Sequence, residues 1–277
     1  MLADVARYLR CPHCAAELAL DGAVMRCAAG HSFDVARQGY VSLLPGGPRA
    51  GSGDSAAMVA ARESFTAAGH LDPLAEALVD AAAGVEDPGC VIDLGAGTGW
   101  QLARVLDALP GRPGIALDVS RPALQRVARA HPRIGAVRAD IWKTLPLRSG
   151  AAALVLNVFA PRNGEEIARV MASGALLAVV TPTPRHLEQL TGPLGMLSVD
   201  SRKPERLERE LGERLELQSS KEHEWRMWLA ADELEALVMM GPSGFHAEPD
   251  ELRACIAVLP ERVEASASVN LSLWRAP

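Results

Sequence analysis

The segment Val91-Ile-Asp-Leu-Gly-Ala-Gly-Thr-Gly99 constrains the chain more than any other. A short apolar run ends beside an acid, and three alternating glycines turn it into the helical composition of residues 99–109. Glycines at such a turn let the backbone take positive φ and lie directly against a ligand. The surrounding chain supplies partners for this strand. Candidate strands at 91–94, 114–117, 134–138, 153–158 and 176–180 alternate with candidate helices at 99–109, 121–131 and 164–172. That alternation predicts an α/β fold, doubly wound around a mainly parallel sheet. Helical stretches at 56–68 and 71–83 precede it. Val269, Leu271 and Leu273, alternating with Asn270, Ser272 and Trp274, predict a closing strand at the far side of the sheet.

The first 45 residues have a different character. Cys11-Pro-His-Cys14 is followed after twelve residues by Cys27-Ala-Ala-Gly-His31. Each ligand pair fits one tight turn, and three thiolates with one imidazole complete a zinc tetrahedron. A closed shell of Cys11, Cys14, Cys27 and His31 leaves no position for water, so the metal is expected to be structural. It would staple a unit too small to hold itself together by apolar burial. His13 is expected to point away from the metal, and Cys90 and Cys255, which lack ligand spacing, are expected to be core residues. Pro45-Gly-Gly-Pro-Arg-Ala-Gly-Ser-Gly53 reads as a linker. The expected organisation is a zinc-binding, RNA-recognising domain over 1–45, a linker over 46–54 and a larger domain over 55–277. That boundary predicts a larger domain able to fold without residues 1–45.

Several classes can be set aside. No apolar leader follows Met1, and Arg7 and Arg10 come soon after, which predicts a cytoplasmic protein. The longest charge-free runs, 170–184 and 149–161, are shorter than the roughly 18–20 residues that cross a bilayer, so no membrane association is expected. With 28 Lys+Arg against 34 Asp+Glu the net charge is −6, which excludes a uniformly basic nucleic-acid coat; any RNA must be held by a patch. One candidate patch is 121–148, where seven basic residues face the single acid Asp140. A second is the cysteine-rich unit, with Arg26, Arg37 and Tyr40. The dense but balanced charges of 200–226 read as a solvated helix and strand edge.

The glycine spacing is GxGxG, not the GxGxxG of dinucleotide folds. A pyrophosphate would avoid the adjacent Asp93, whereas a cofactor carrying a positively charged amino group would welcome it. Asp118, at the end of the second strand, is placed for ribose hydroxyls, and Asp140, where a third strand should end, for an adenine amino group. Three acids in register with three strand ends point to S-adenosylmethionine. Gly95, Gly97, Thr98, Gly99, Gln101 and Leu102, in the loop and the first turn of its helix, complete the candidate contacts there.

These features occur together with Gly30-His-Ser-Phe-Asp34 running into Gly39-Tyr-Val-Ser-Leu-Leu-Pro45, with Gly53-Asp-Ser55, Met58, Ala61-Arg62 and Gly69-His70, and with Ala160-Pro161 and Pro182-Thr-Pro-Arg-His-Leu-Glu188. Over nearly its whole length the chain resembles the large-subunit (23S) ribosomal RNA guanine-N1 methyltransferase family, which includes macrolide-resistance enzymes of the tylosin and mycinamicin type. The resemblance implies a Rossmann-like class I methyltransferase with a mainly parallel seven-stranded sheet, preceded by a small zinc-binding domain. It implies zinc at the four residues above, cofactor contacts at Leu71, the glycine loop and His186, and a homodimer. At Leu71 the sequence departs from relatives that place an aromatic after Gly-His, which puts a stacking or hydroxyl contact there in question. Read without the family, His186 could simply open a helix.

The implied reaction moves the methyl of S-adenosylmethionine to N1 of a guanine in a hairpin loop of large-subunit ribosomal RNA, after the base leaves its stack. Asp140, Asn157 and His186 are candidate pocket residues, none identifiable as the base, and Phe159 could stack a substrate. Two alternatives stay open: a small-molecule methyltransferase with a zinc docking module, and a non-catalytic zinc-dependent RNA-binding protein. The intact Asp93, Gly95, Gly97 and Gly99 disfavour the second.

Overall fold

A computed structural model describes residues 1–45, 53–200 and 202–277, with Lys203 and Pro204 described by backbone alone. Most of the expected linker, 46–52, lies outside the described residues. A short helix α1 (Leu2–Val5) leads into β1 (Leu18–Asp21), β2 (Val24–Cys27) and β3 (Ser32–Asp34), which form a small antiparallel sheet. Then come β4 (Tyr40–Ser42), α2 (Ala56–Ala67), α3 (Asp72–Ala82), β5 (Cys90–Leu94), α4 (Trp100–Ala108), β6 (Gly114–Asp118), α5 (Arg121–Ala130) and β7 (Ile134–Arg138). The chain continues through β8 (Ala152–Val158), α6 (Gly164–Val170), β9 (Met171–Pro182), α7 (Glu188–Thr191), α8 (Lys203–Leu211), β10 (Glu216–Leu229), α9 (Ala231–Met240), α10 (Pro249–Ala257) and β11 (Val263–Arg275).

The main sheet runs in the order β10-β11-β9-β8-β5-β6-β7-β4. Neighbours from β9 to β4 are parallel, and β11 is antiparallel to both β9 and β10. The mainly parallel α/β sheet expected from the sequence is thus present, with β4 as an eighth strand. The closing strand pairs at the far side of the sheet as expected: β11 lies between β9 and β10, and the mostly exposed, charged β10 is the edge. Small Ala265, Ala267 and Ser268 are buried along β11 with Val269 and Trp274, so both its faces are covered.

All residues of β5 and β8 are buried, as continuous apolar runs should be when helices cover both faces. Along β5 the side chains alternate between two cores, Cys90, Ile92 and Leu94 in one and Val91 in the other. The second core is closed by Leu74 and Leu78 of α3, Leu102, Val105 and Leu106 of α4, and Leu124 and Val127 of α5. Ser120 starts α5 by accepting the Ala123 amide at 3.2 Å, and Ser55 starts α2 by accepting that of Met58 at 3.3 Å.

The first core contains the N-terminal unit. Leu2, Val5, Leu9, Leu18, Met25, Val41 and Leu43 share one buried cluster with Ile115, Leu117 and Val137 of the sheet. Gly135 is a glycine because a Cβ there would lie 2.2 Å from Val5 Cγ2. Backbone bonds cross between the units, from Arg10 N to Pro146 O at 2.9 Å, Arg148 N to Tyr8 O at 2.8 Å and Leu43 N to Arg138 O at 3.0 Å. The expectation that the larger domain folds without residues 1–45 does not fit this packing, because their removal would strip an edge strand and bare one face of β6 and β7.

One further expectation is corrected. Cys255 is exposed on α10, whose buried residues are Leu252 and Ile256. Cys90 is buried as expected, and burial pushes its thiol up to about 12. The basic surplus of 121–148 is also largely spoken for. The Arg133 guanidinium caps the end of α4 through the carbonyls of Leu106, Leu109 and Arg112, and Arg138 Nε donates to Val119 O at 2.9 Å. Arg126 pairs with Glu63 at 2.9 Å and Arg148 with Glu17 at 3.3 Å. Arg121, Arg129 and Lys143 have no side-chain hydrogen bond or acidic partner among the described residues. Of the seven basic residues, Arg133 and Arg138 are structural, while Arg126 and Arg148 sit in exposed ion pairs.

Candidate functional site

At the metal centre, Cys11 and Cys14 flank a turn closed by Ala15 N to Cys11 O at 2.9 Å, with Ala15 at φ 58°. Cys27 ends β2, and the turn to His31 is closed by Gly30 N to Cys27 O at 3.0 Å. The ligand atoms of Cys11, Cys14, Cys27 and His31 all lie within 4.8 Å of one another. Cys14 Sγ is 3.7 Å from Cys27 Sγ, and His31 Nδ1 is 3.5 Å from Cys11 Sγ and 3.4 Å from Cys27 Sγ. A tetrahedron with Zn–S bonds of about 2.3 Å has S–S edges of roughly 3.8 Å, so the set fits zinc. Burial opposes ionisation of Cys27, yet hydrogen bonding at His31 brings its thiol down to about 6, toward the thiolate a metal needs. His13 is outside the set, its ring stacked on Phe33 at 5.8 Å.

The second site lies beyond the carboxyl ends of β5, β6 and β7, where ligands of open α/β sheets bind. Gly95, Gly97 and Gly99 all take positive φ, 74°, 54° and 78°, and Gly99 is the N-cap of α4. Asp118 holds this turn: its Oδ2 accepts the Gly97 amide at 2.9 Å and its Oδ1 the Ser120 amide at 2.8 Å. Asp93 is only 2% exposed, and its carboxylate has no hydrogen-bond partner among the described residues. Burial, with the nearby Asp118 charge adding to it, pushes its carboxyl up to about 7. Burial also raises Asp118, against the pull of its two amides.

An unpartnered buried carboxylate is costly unless something cationic completes it. That carboxylate stands beside a turn whose three glycines all take positive φ, so these residues fit a cofactor with an ammonium group. Asp140 lies two residues past β7 and accepts the Trp142 amide at 3.0 Å. Thr98 is buried and Gln101 half-buried, while Leu102 points into the core, leaving its backbone as what it can offer. Leu71 precedes α3 in an apolar cluster with Phe65, Leu187 and Leu190. His186 lies past β9, its Nδ1 accepting the Ser268 amide at 3.2 Å and its ring 5.8 Å from that of Phe159.

Arg62 and Ala160, for which the sequence suggested no role, and the pocket candidate Asn157 shape this mouth. The Arg62 guanidinium sits over the turn, where a Cβ on Gly97 would come 2.7 Å from Nη1, and is held by Asp54 and by Met240 O at 2.7 Å. Ala160 presses on the same turn, 2.7 Å from where a Gly95 Cβ would be. Fully buried Asn157 fixes the loop after β8, its Nδ2 donating to Pro161 O at 2.9 Å and its Oδ1 accepting from Arg162 Nε at 3.2 Å. Arg62 belongs to the Ala61-Arg62 pair, but nothing in one sequence says what lies beneath an arginine.

Strand order, the acid and glycine turn, and the Cys3His cluster together define a class I, S-adenosylmethionine-dependent methyltransferase carrying a structural zinc site. A solved structure described as "Conversion of a Disulfide Bond into a Thioacetal Group during Echinomycin Biosynthesis" shares the fold at TM-score 0.50 and 18% identity, over 74% of this chain and 81% of that one. Residues 9–48 match the family described as the RlmA N-terminal zinc ribbon. The 23S rRNA (guanine(748)-N(1))-methyltransferase of Streptomyces fradiae is 48% identical over 278 residues, 99% of each chain. A relative from Micromonospora griseorubida is 47% identical over 292 residues, 98% of each. The chain therefore belongs to the family of 23S rRNA guanine-N1 methyltransferases.

Proposed function

We propose that this protein methylates N1 of a guanine in a hairpin loop of large-subunit ribosomal RNA in the cytoplasm, acting as a homodimer, with macrolide resistance as the outcome the resemblance attaches to the reaction. The observation that carries the reading is the unpartnered Asp93 carboxylate at the glycine turn, in a chain whose full length follows that of the Streptomyces fradiae enzyme. When bound, S-adenosylmethionine supplies a methyl on a sulfonium.

Asp93 would receive the cofactor's ammonium, and Asp118, whose oxygens retain lone pairs beyond the Gly97 and Ser120 amides, its ribose hydroxyls. Asp140 would meet the adenine amino group, and the amides of the 95–102 turn would line the remainder, with Leu71 and His186 at the far rim. In neutral guanine N1 bears a proton that must leave. Asn157 is clamped at both ends of its amide and does not accept it. With Nδ1 accepting from Ser268, a neutral His186 ring carries its proton on Nε2 and is a donor there. Asp140 accepts the Trp142 amide and is assigned to the adenine amino group, so none of these three is identified as the proton acceptor.

Asp93 makes cofactor binding pH-dependent. Its folded pKa lies above its unfolded value, so it costs the free protein stability that grows as pH rises from about 4 to 7. An ammonium partner reverses this cost by favouring the charged form. Affinity for S-adenosylmethionine is therefore expected to rise from pH 6 to pH 7.5, with proton release on binding in the lower half of that range. Asp93→Asn should flatten both trends while weakening binding; calorimetric titration in buffers of different ionisation enthalpy measures all three. A pH-independent affinity in the unsubstituted protein would detach Asp93 from the cofactor.

The acceptor is tested by primer extension on large-subunit RNA incubated with protein and cofactor, because a methyl on N1 blocks pairing. A new stop at one hairpin guanine, absent with Gly97→Val, is expected. No stop, with methyl transfer to small molecules alone, would favour the docking-module alternative.

A further inference from the structure

Building on the guanine-N1 reading, we infer that the ring of Phe159 is the face on which the acceptor guanine stacks while its N1 meets the methyl donor. Phe159 follows β8 directly, and its backbone is left-handed at φ 52°, one of three such non-glycine residues described. That conformation suits glycine and costs any side chain with a Cβ. Phe159 is also 46% exposed, a position that suits a polar residue. Neither the backbone nor the solvent favours phenylalanine here, and its exposed face is open to a ligand.

The surrounding bonds hold it in that posture. The Phe159 amide donates to Val180 O at 3.1 Å, and the next turn is pinned by the Asn157 amide on Pro161 O. Ala160 lies against the Gly95 turn, which sets the Phe159 loop beside the backbone that would receive the donor. His186 supports the ring at 5.8 Å with the planes inclined by 37°, so the ring stands at the mouth between the ends of β8 and β9. A nucleobase taken from its helix loses its stacking partners, and an exposed aromatic face replaces them.

Three variants separate this role from a structural one: Phe159→Gly, Phe159→Leu and Phe159→Tyr. Each is compared with the parent on a transcript of the hairpin that gives the primer-extension stop. Phe159→Gly relieves the left-handed strain, so its Tm is expected to be unchanged or raised. Its cofactor affinity should stay within about twofold, while kcat/KM on RNA falls about 10- to 100-fold, the range of one base–aromatic stack. Phe159→Leu should fall almost as far, and Phe159→Tyr should stay within about threefold of the parent. Parental methylation by the glycine or leucine variant overturns the inference, as does a glycine variant that loses Tm and cofactor affinity together. If the parent itself gives no stop, the guanine reading fails instead.

Discussion

Gly97→Val is expected to abolish measurable cofactor binding in a chain that still folds. Valine must take φ near 54° at this position, a left-handed conformation that costs a β-branched residue on the order of 1–2 kcal/mol. Its Cβ would also lie 2.7 Å from Arg62 Nη1, and that guanidinium cannot swing freely because Asp54 and Met240 O hold it. The turn must therefore tilt, and its amide leaves Asp118 Oδ2. Such losses of a few kcal/mol fit within the roughly 5–15 kcal/mol of a typical domain, so folding should survive with a Tm lower by several degrees. Binding should not survive, because the tilt takes the turn's amides out of the positions that meet the ligand and pushes Arg62 off its seat over the turn. Calorimetric titration should show affinity reduced more than about 100-fold, and circular dichroism a native spectrum. Parental affinity would mean that the methyl donor lies elsewhere.

Removing residues 1–45 is expected to leave no stably folded enzyme, and stripping zinc to lower the melting of the whole chain in one transition. Seven large apolar side chains of this segment are buried in the core that contains Ile115, Leu117 and Val137. At about 1.5–3 kcal/mol for each fully buried side chain, even half of that burial is comparable with a domain's total stability. The cut also exposes the β7 edge that pairs with β4. Soluble yield and the melting curve of the truncated chain test the first part. Chelation, or Cys11→Ser with Cys14→Ser, tests the second, and a separate early transition with an unmoved main one would show that the two parts are independent.

What the sequence discloses and what it hides follow from the range of the interactions involved. The β5 to α4 turn is legible because every requirement is local: a buried run, an acid and glycines where φ is positive. The four metal ligands are legible for the same reason. By contrast, β4 is three residues set between Gly39 and Pro45, and only its distant partner on β7 makes it a strand. Arg133 and Arg129 look alike in a basic stretch, yet one guanidinium is consumed by carbonyls at the end of α4. Cys255 reads as core until α10 turns Leu252 and Ile256 inward instead. Whether Leu71 or His186 faces a ligand depends on the cap built by α2, α7, α9 and α10, whose packing has no local signature.

The pairing of β4 with β7 also sets an order of events at synthesis. Tyr40 must find Ala136, a partner made almost a hundred residues later. At about 5–20 residues per second the nascent segment waits on the order of 5–20 s, with the flank of Val5, Leu9 and Val41 open to water or to other chains. The ligands Cys11, Cys14, Cys27 and His31 all emerge well before that moment, so metal capture can fix the ribbon's shape while its apolar side is still uncovered. Zinc supply during translation, more than zinc affinity of the finished molecule, would then govern how many chains escape aggregation.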